Sequence, residues 1–536
     1  MPDRTFHSLP TTWRLITKDS FTDVKELIPE LFYLAEMFHN NEGLELGVRQ
    51  CGAGIDSVEL PAWAPDARLF TLIHRQALEA RAVAERLPHW LDLVFGCKQL
   101  GQPAIDAVNV FPACTYYGFD PCALEDPKDR TAAATMVRTY GQAPRQLLRT
   151  PHPSLPAALH ALAADEPQVW GGVVGARWGR YCGSPALAPP AVVARRACAG
   201  AAAVCALPLA RAAAALTART VLLAPGAGAA LALVSWGHSD NIVRLKRRRD
   251  AAPDLLLHTP ALDQISAVGS ASLRSSCPYP LFLGHASGRV LAVRVREGPG
   301  GARARTRLLA AHARAVTAVC VCARAALLLT ASADGKLVLW DLNRLSYIRT
   351  LPNRDMLPVT HATISETLCD VASVHDVSSR PSQPSHLSHP SQPLAPSAEG
   401  EKEADAEAAD EYEKDAAYKY KSLIRVHTCN ATFVGSVKVV EEVTCIAYSA
   451  APEGVSVNCV AAGLRFGGVR LYSSWDLRPT AHIAPAAPRA PLLSLTFSSD
   501  SQLLFGCYEG GAVAAWESGA GARPAPVRIH PAHALY

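Results

Sequence analysis

The sequence predicts a multidomain chain: a mostly helical and irregular region followed by an all-β propeller of six or seven blades. Three observations carry this reading. The chain has 536 residues, more than one hydrophobic core usually organises. Apolar residues recur with a helical period before about residue 150 and in short β-type runs after about residue 196. Turn residues then return at the interval of a four-stranded blade, roughly 40 to 45 residues. The predicted boundaries are 1–155 for the helical region, 156–195 for a Pro- and Ala-rich connector, and 196–536 for the propeller.

In the first region Pro29 breaks the pattern of DVKELIPELFYLAEMF. Pro65 and Asp66 open a helix whose stripe is Leu69, Leu72, Ile73, Gln76 and Ala80. In LPHWLDLVFGCKQLG, Leu87, Trp90, Leu91, Val94 and Phe95 fall at i, i+3, i+4, i+7 and i+8, one face of a helix. That face is expected to be buried, which turns the polar residues outward. Pro103 marks the first turn of a further helix.

After the connector, the turns align on Asn241, Gly288, Gly335, Gly467 and Gly511. Three of the gaps, 47, 47 and 44 residues, are single blades, whereas the gap of 132 is two blade lengths plus an insertion of about 42 residues. The insertion is residues 378–419, a Ser/Pro/His stretch followed by an acidic one, and its composition predicts a disordered loop within a blade. THATISETLCDVASVHD before it and SLIRVHTCNATFVGSV after it supply the halves of that blade. Residues 220–239 contain no Lys, Arg, Asp or Glu, but Pro225 and three glycines interrupt them, so strands joined by a turn are expected rather than a membrane span.

Composition excludes several function classes. The hydrophobic share of 49% is inflated by alanine, and with only 4 Met and 7% aromatics a few large apolar side chains must carry the packing. A net charge of +4 is too mild to name nucleic acid or an anionic membrane as the main partner. The 15 cysteines form no CxxC pair and fit reduced thiols in the cytosol. The first 20 residues show no apolar core of a secretory signal, and the Asn430 sequon is therefore expected to be unused.

No phosphate loop, HExxH helix or GxSxG elbow occurs. Glu26, Glu30, Asp92 and Asp106 are read as caps and solvated faces, and Cys97 beside Lys98 as a packed thiol, because no partner at defined spacing accompanies them. His386 and His389 are too isolated for a metal site. RLKRRRD, starting at Arg244, is read as a charged strand end. The expected catalytic, cofactor-binding and metal sets are all empty.

In LLLTASADGKLVLWD, preceded by His312, the spacing of His312, Ser332, Asp334 and Trp340 resembles the WD-repeat family, which implies a hydrogen-bonded set locking the blade. At the position of Trp340 the other blades carry Lys246, Val293, Tyr472 and Trp516, while Trp475-Asp476 spells the dipeptide three residues out of place.

The blocks DVKELIPELFYLAEMF, VELPAWA, IHRQALEA, LPHWLDLVFGCKQLGQPAIDAVNVF and TYYGFD, in order within residues 3–155, resemble the second half of a BEACH domain. DRTFHS would join that pattern midway, which implies that the first half and the PH-like domain that usually precedes it are missing from this sequence. Cys97 departs from the aromatic residue common in relatives, and Pro112 and Ala113 from a more polar run. Residues 348–376, 425–437 and 453–477 resemble the branch of the family that acts on lysosomes. The resemblance implies a non-enzymatic, cytosolic scaffold that controls size, fission or fusion of lysosomes and related organelles. Its implied partners are proteins of the trafficking machinery, with peripheral endolysosomal membrane association through them and no nucleic acid, cofactor or small-molecule substrate. The alternative within the family is an adaptor coupling a receptor to neutral sphingomyelinase, against which residues 348–376 and 453–477 speak. The expected BEACH interaction surface is His89, Asp92, Lys98, Gln99 and Asn109.

Overall fold

The computed structural model describes residues 2, 5–20, 28–78, 81–153, 191–207, 211–223, 232–240, 242–247, 255–258, 263–270, 281–296, 303–310, 312–378, 420–450, 458–486, 490–498, 501, 503–517 and 527–531. The chain divides into two compact units, one holding the N-terminal region and one holding the strands. Asn241 and the predicted disordered loop lie outside the described residues, except for Ser378.

In the N-terminal unit, α1 (Leu9–Arg14) starts at Ser8, whose buried hydroxyl accepts from the Thr11 amide at 3.2 Å. Helix α2 (Ala67–Leu78) is capped by Asp66, whose Oδ1 accepts from the Leu69 amide at 2.8 Å. Of the predicted stripe Leu69, Leu72 and Ile73 are buried, together with Phe70, while Ala80 and the side chain of Gln76 lie outside the described residues. Phe70 meets Phe38 edge-on at 5.2 Å and stacks on Trp63 at 5.6 Å. Short aromatic-bearing segments thereby pack on one helix without a sheet. Pro29 opens a 3-10 turn, Pro29–Phe32. Helices α3 (Arg81–Val94), α4 (Gln102–Asp106) and α5 (Pro127–Tyr140) follow, the last capped by Asp126.

Among the described residues the strands form seven sheets, so the ring has seven blades and not six. Strand β1 (Ala191–Ala197) precedes the first blade, which contains β2 (Ala201–Ala206) and β3 (Ala212–Thr217). Blade 2 is β4 (Thr220–Leu223), β5 (Ala232–Ser235), β6 (Ile242–Arg247) and β7 (Leu255–His258). Blade 3 is β8 (Ile265–Ser270), β9 (Leu281–His285), β10 (Arg289–Arg296) and β11 (Arg303–Ala310). Blade 4 is β12 (Val316–Cys322), β13 (Leu327–Ser332), β14 (Leu337–Asp341) and β15 (Tyr347–Leu351). Blade 5 is β16 (Val359–Ile364), β17 (Val371–Asp376), β18 (Ser422–His427) and β19 (Phe433–Val439). Blade 6 is β20 (Val443–Tyr448), β21 (Cys459–Leu464), β22 (Val469–Ser473) and β23 (Pro479–Ile483). Blade 7 is β24 (Leu492–Phe497), β25 (Leu503–Tyr508) and β26 (Ala512–Glu517), and β27 (Arg528–Pro531) ends the described chain.

The innermost strands β2, β4, β8, β12, β16, β20 and β24 touch in sequence, and β24 touches β2 to close the ring. The first and last strands seal it. Strand β1 pairs antiparallel with β26 as the outer strand of blade 7, and β27 pairs parallel with β3 as the third strand of blade 1. The closing strand β1 starts at Ala191, five residues inside the stretch read as connector. The charge-free run at 220–239 contains β4 and β5, a hairpin pairing Thr220 with Ser235. Among the described residues no helix is long and apolar enough to cross a membrane.

Second strands such as LFLGH of β9 and LLFGCY of β25 are buried on both faces, because each blade packs between two others. The predicted turn glycines Gly288, Gly335, Gly467 and Gly511 all hold φ between +85° and +90°, the left-handed region where a Cβ is costly. In blade 5 the two predicted halves pair across the insertion, with Asp376 opposite Ser422. The insertion therefore replaces the turn between the second and third strands.

Candidate interaction surfaces

Blade 4 holds the predicted set. His312 Nε2 lies 2.9 Å from Thr330 Oγ1, and Trp340 Nε1 donates to the same oxygen at 3.1 Å. Asp334 Oδ2 sits 3.4 Å from His312 Nδ1 and accepts from the Ala313 amide, while Oδ1 accepts from the Lys336 amide. These bonds hold the Asp334 carboxyl below its usual range against the opposing effect of burial. Burial pushes His312 down, so the imidazole is neutral and one ring nitrogen can accept.

The hydroxyl of the set belongs to Thr330, not to the expected Ser332. Ser332 Oγ instead donates to the Arg314 carbonyl at 3.0 Å and accepts from the Asp334 amide at 3.1 Å, bracing the turn. The physical reason is register. Trp340 pairs with Leu328 and Ser332 with Val316, which puts Thr330, not Ser332, within reach of the indole. The signal was present as a second hydroxyl in LLLTASADG.

The same register aligns blade 5, where Val359 pairs with His375 and Val371 with His427. His375 thus stands where Ser332 does, His427 where Trp340 does, and Ser373 where Thr330 does. Both imidazoles are buried. His375 Nε2 lies 2.9 Å from Ser373 Oγ, and the neighbouring Arg425 is ion-paired to Asp355 and donates to Asn353 Oδ1 at 2.6 Å. Burial, with Arg425 adding to it, pushes each imidazole down to about 4. Neither histidine stands out in the sequence, because blade 5 lacks the Trp that marks the aligned position.

In blade 7 Trp516 takes the position of Trp340, but Gly506 stands where Thr330 would be, so its buried Nε1 has no hydrogen-bond partner among the described residues. Trp475 lies beyond β22, outside the aligned position of Tyr472.

The structure buries part of the expected five-residue BEACH surface. Asp92 and Gln99 are buried at 3% and 4% exposure, whereas Leu87 and Trp90 of the supposed core stripe are 41% and 52% exposed. Asp92 Oδ1 accepts from the His152 amide at 2.8 Å. Gln99 Nε2 donates to the carbonyls of Val94 and Pro144, both at 2.7 Å. Asn109 Nδ2, half-buried, donates to the carbonyls of Leu93 and Lys98, both at 2.9 Å. These three side chains satisfy the end of α3 and the segment returning over it. Only His89 is exposed, and Lys98 is half-buried. Helical period located the two faces of α3 but could not say which one the return segment, residues 144–152, would cover.

Residues 1–155 match the family described as Beige/BEACH domain, and residues 303–341 match the WD domain, G-beta repeat. The chain is 37% identical, over an alignment that covers 96% of its length, to a human protein named "Lysosomal-trafficking regulator". To the Drosophila melanogaster protein of the same name it is 32% identical over 97% of its length. A "Putative neurobeachin homolog" of Caenorhabditis elegans is 47% identical over 28% of the chain and 6% of its own length. The chain spans 14% and 17% of the lengths of the human and fly relatives. A BEACH match at the N-terminus, a seven-bladed ring after it, and similarity that continues through both place the chain in the family of BEACH and WD-repeat proteins, and it is similar along nearly its whole length to the lysosomal-trafficking regulators.

Proposed function

We propose that this chain is a non-enzymatic scaffold in vesicle trafficking, regulating the size, fission or fusion of lysosomes and related organelles through protein–protein contacts. The observation that carries this is the extent of the likeness: 96% of the chain aligns with the human lysosomal-trafficking regulator, propeller included. A rigid ring sealed at both ends suits such a role because its short-edged blades offer many loops and margins as docking surfaces. Its partners are proteins of the trafficking machinery, and it works in the cytosol, peripheral to endolysosomal membranes through them. His89 and Lys98 are the members of the expected BEACH surface that reach solvent and remain candidates for partner contact.

A chimera tests this: the chain replaces the matching region of the human relative in cells lacking that relative, and lysosome diameter is measured. Restored diameter that is lost on deleting residues 196–536 supports the proposal. Equal rescue without the propeller would remove it as the recruiting surface. Normal diameter together with altered receptor-stimulated sphingomyelinase activity would favour the adaptor reading instead.

A further inference from the structure

Blade 3 ends in β11, whose eight residues RARTRLLA pair along their whole length with RVLAVRVR of β10. The two strands together carry six arginines, Arg289, Arg294, Arg296, Arg303, Arg305 and Arg307, and no acid. Arg294 lies directly across from Arg305, and Arg296 is the register partner of Arg303. Like charges opposite one another in a ladder are unfavourable. Such a pattern is sustained at low cost only where solvent or an anion screens it.

Arg305 and Arg307 are exposed and, two residues apart, project from the same side of β11. Arg307 Nη1 donates at 2.8 Å to the carbonyl of Arg344, itself an exposed residue in the turn after β14. That face of β10 and β11 packs inward on blade 4 through Val290 and Leu309, in one core with Val316 and Trp340. Arg294, Arg305, Arg307 and Arg344 therefore line the outer margin between blades 3 and 4. Among the described residues none of the four has a carboxylate within ion-pair distance.

Strand β11 is also an edge. Among the described residues nothing pairs with its outer side, which leaves a row of backbone donors and acceptors. Its other face carries the exposed Thr306 and Leu308, the latter 55% exposed.

We infer that β11 is a docking edge for an extended acidic peptide, which adds as a fifth strand to blade 3 and sets alternate carboxylates against Arg305 and Arg307. Strand addition explains the combination of features: backbone groups give affinity, and the two-residue repeat of side chains gives selection. Each guanidinium can grip a carboxylate through two parallel donors, which a strand-paired peptide holds in place. An anionic bilayer would meet the same charges, but it would make no use of the strand edge or of the alternation with Thr306 and Leu308. This deepens the scaffold reading by naming a class of partner, and rests on it only in taking the partner to be a polypeptide.

The test uses the full chain and a fluorescent peptide of about ten residues alternating Glu and Val, with a block-order peptide of the same composition as control. We expect saturable binding of the alternating peptide, weakened about tenfold or more in R305E/R307E and falling as salt rises. R289E, exposed but on the opposite face of β10, should bind as the parent does. Amides of Arg305–Leu308 should gain hydrogen-exchange protection on binding. Matching melting curves of the parent and both variants establish that the fold is intact; if R305E/R307E melts early, R305Q/R307Q replaces it with the same expected loss. Equal affinity for the block-order peptide, indifference to the substitutions, or binding of phosphatidylserine vesicles that the peptide does not displace would each overturn the inference. Any of these leaves the organelle assay, and the scaffold reading, standing.

Discussion

Thr330 shows how one hydroxyl can organise a blade. Its oxygen faces both the His312 ring and the Trp340 indole from a fully buried position on β13. Thr330→Val keeps the shape and β-branching but leaves two buried ring nitrogens without that partner, so it should cost about 1–3 kcal/mol. Thr330→Ser should retain most of that stability. Chemical denaturation of the two variants checks this, and an equal loss in both would assign the effect to packing instead of hydrogen bonding. At this scale the sequence was partly legible. His312, Asp334 and Trp340 stand out by spacing, yet the hydroxyl between them depends on which of two neighbouring positions the register presents, and spacing alone does not supply register.

Blade 5 is the element in which the usual set has been replaced by two buried imidazoles, and its stability should follow pH accordingly. His375 and His427 are pushed from an ordinary value near 6.5 down to about 4, first by burial and then by Arg425. Unfolded, each takes up a proton near pH 6.5; folded, each resists until about pH 4. The unfolded state therefore binds more protons in that window, and stability present above pH 6.5 is lost as pH falls toward 4. The loss is on the order of 3 kcal/mol per histidine. Hydrogen exchange of β17 and β18 at pH 7 and pH 5 should show blade 5 opening before blade 4, and His427→Phe should remove about half of the difference, His375 supplying the rest. An unchanged pH profile in that variant would refute the assignment to His427. Elements were legible from sequence where a chain-local rule governs them. Pro103, Asp66 and the turn glycines each act within a few residues of themselves. The outward face of α3 differs from the expected one because Pro144, Gln146 and His152, some fifty residues on, decide it.

For the whole molecule, the ring's stability is concentrated at its seam. The first and last strands exchange places, β1 lying in the last blade and β27 in the first. Neither assignment is readable from a repeat period, since each strand completes a blade whose other members lie hundreds of residues away, as with Ala191 opposite Glu517. Three contacts fasten the seam. Arg211 grips Glu517 through both oxygens at 2.6 and 3.1 Å, with the pair 14% and 15% exposed. Arg196 Nη1 donates to the Ile529 carbonyl at 2.5 Å. Ile529 itself is buried with Val204, Ala213, Ala215 and Phe505. A Cβ on Gly511 would collide with the Cys198 carbonyl oxygen, so the turn of the last blade also lies tight against the chain leaving β1. Removing residues 525–536 takes away β27, uncovers the edge of β3 and empties the place of Ile529. This should cost about 3–5 kcal/mol, comparable to removing a large buried aliphatic side chain and leaving its cavity. The loss should be directional, because an opened ring frays from its seam. Hydrogen exchange in Ala212–Thr217 and Leu503–Tyr508 should accelerate first, while Leu337–Asp341, on the far arc of the ring, holds its protection until global unfolding. Uniform acceleration around all seven blades would instead mean that the propeller unfolds as one cooperative body in which the seam has no special place.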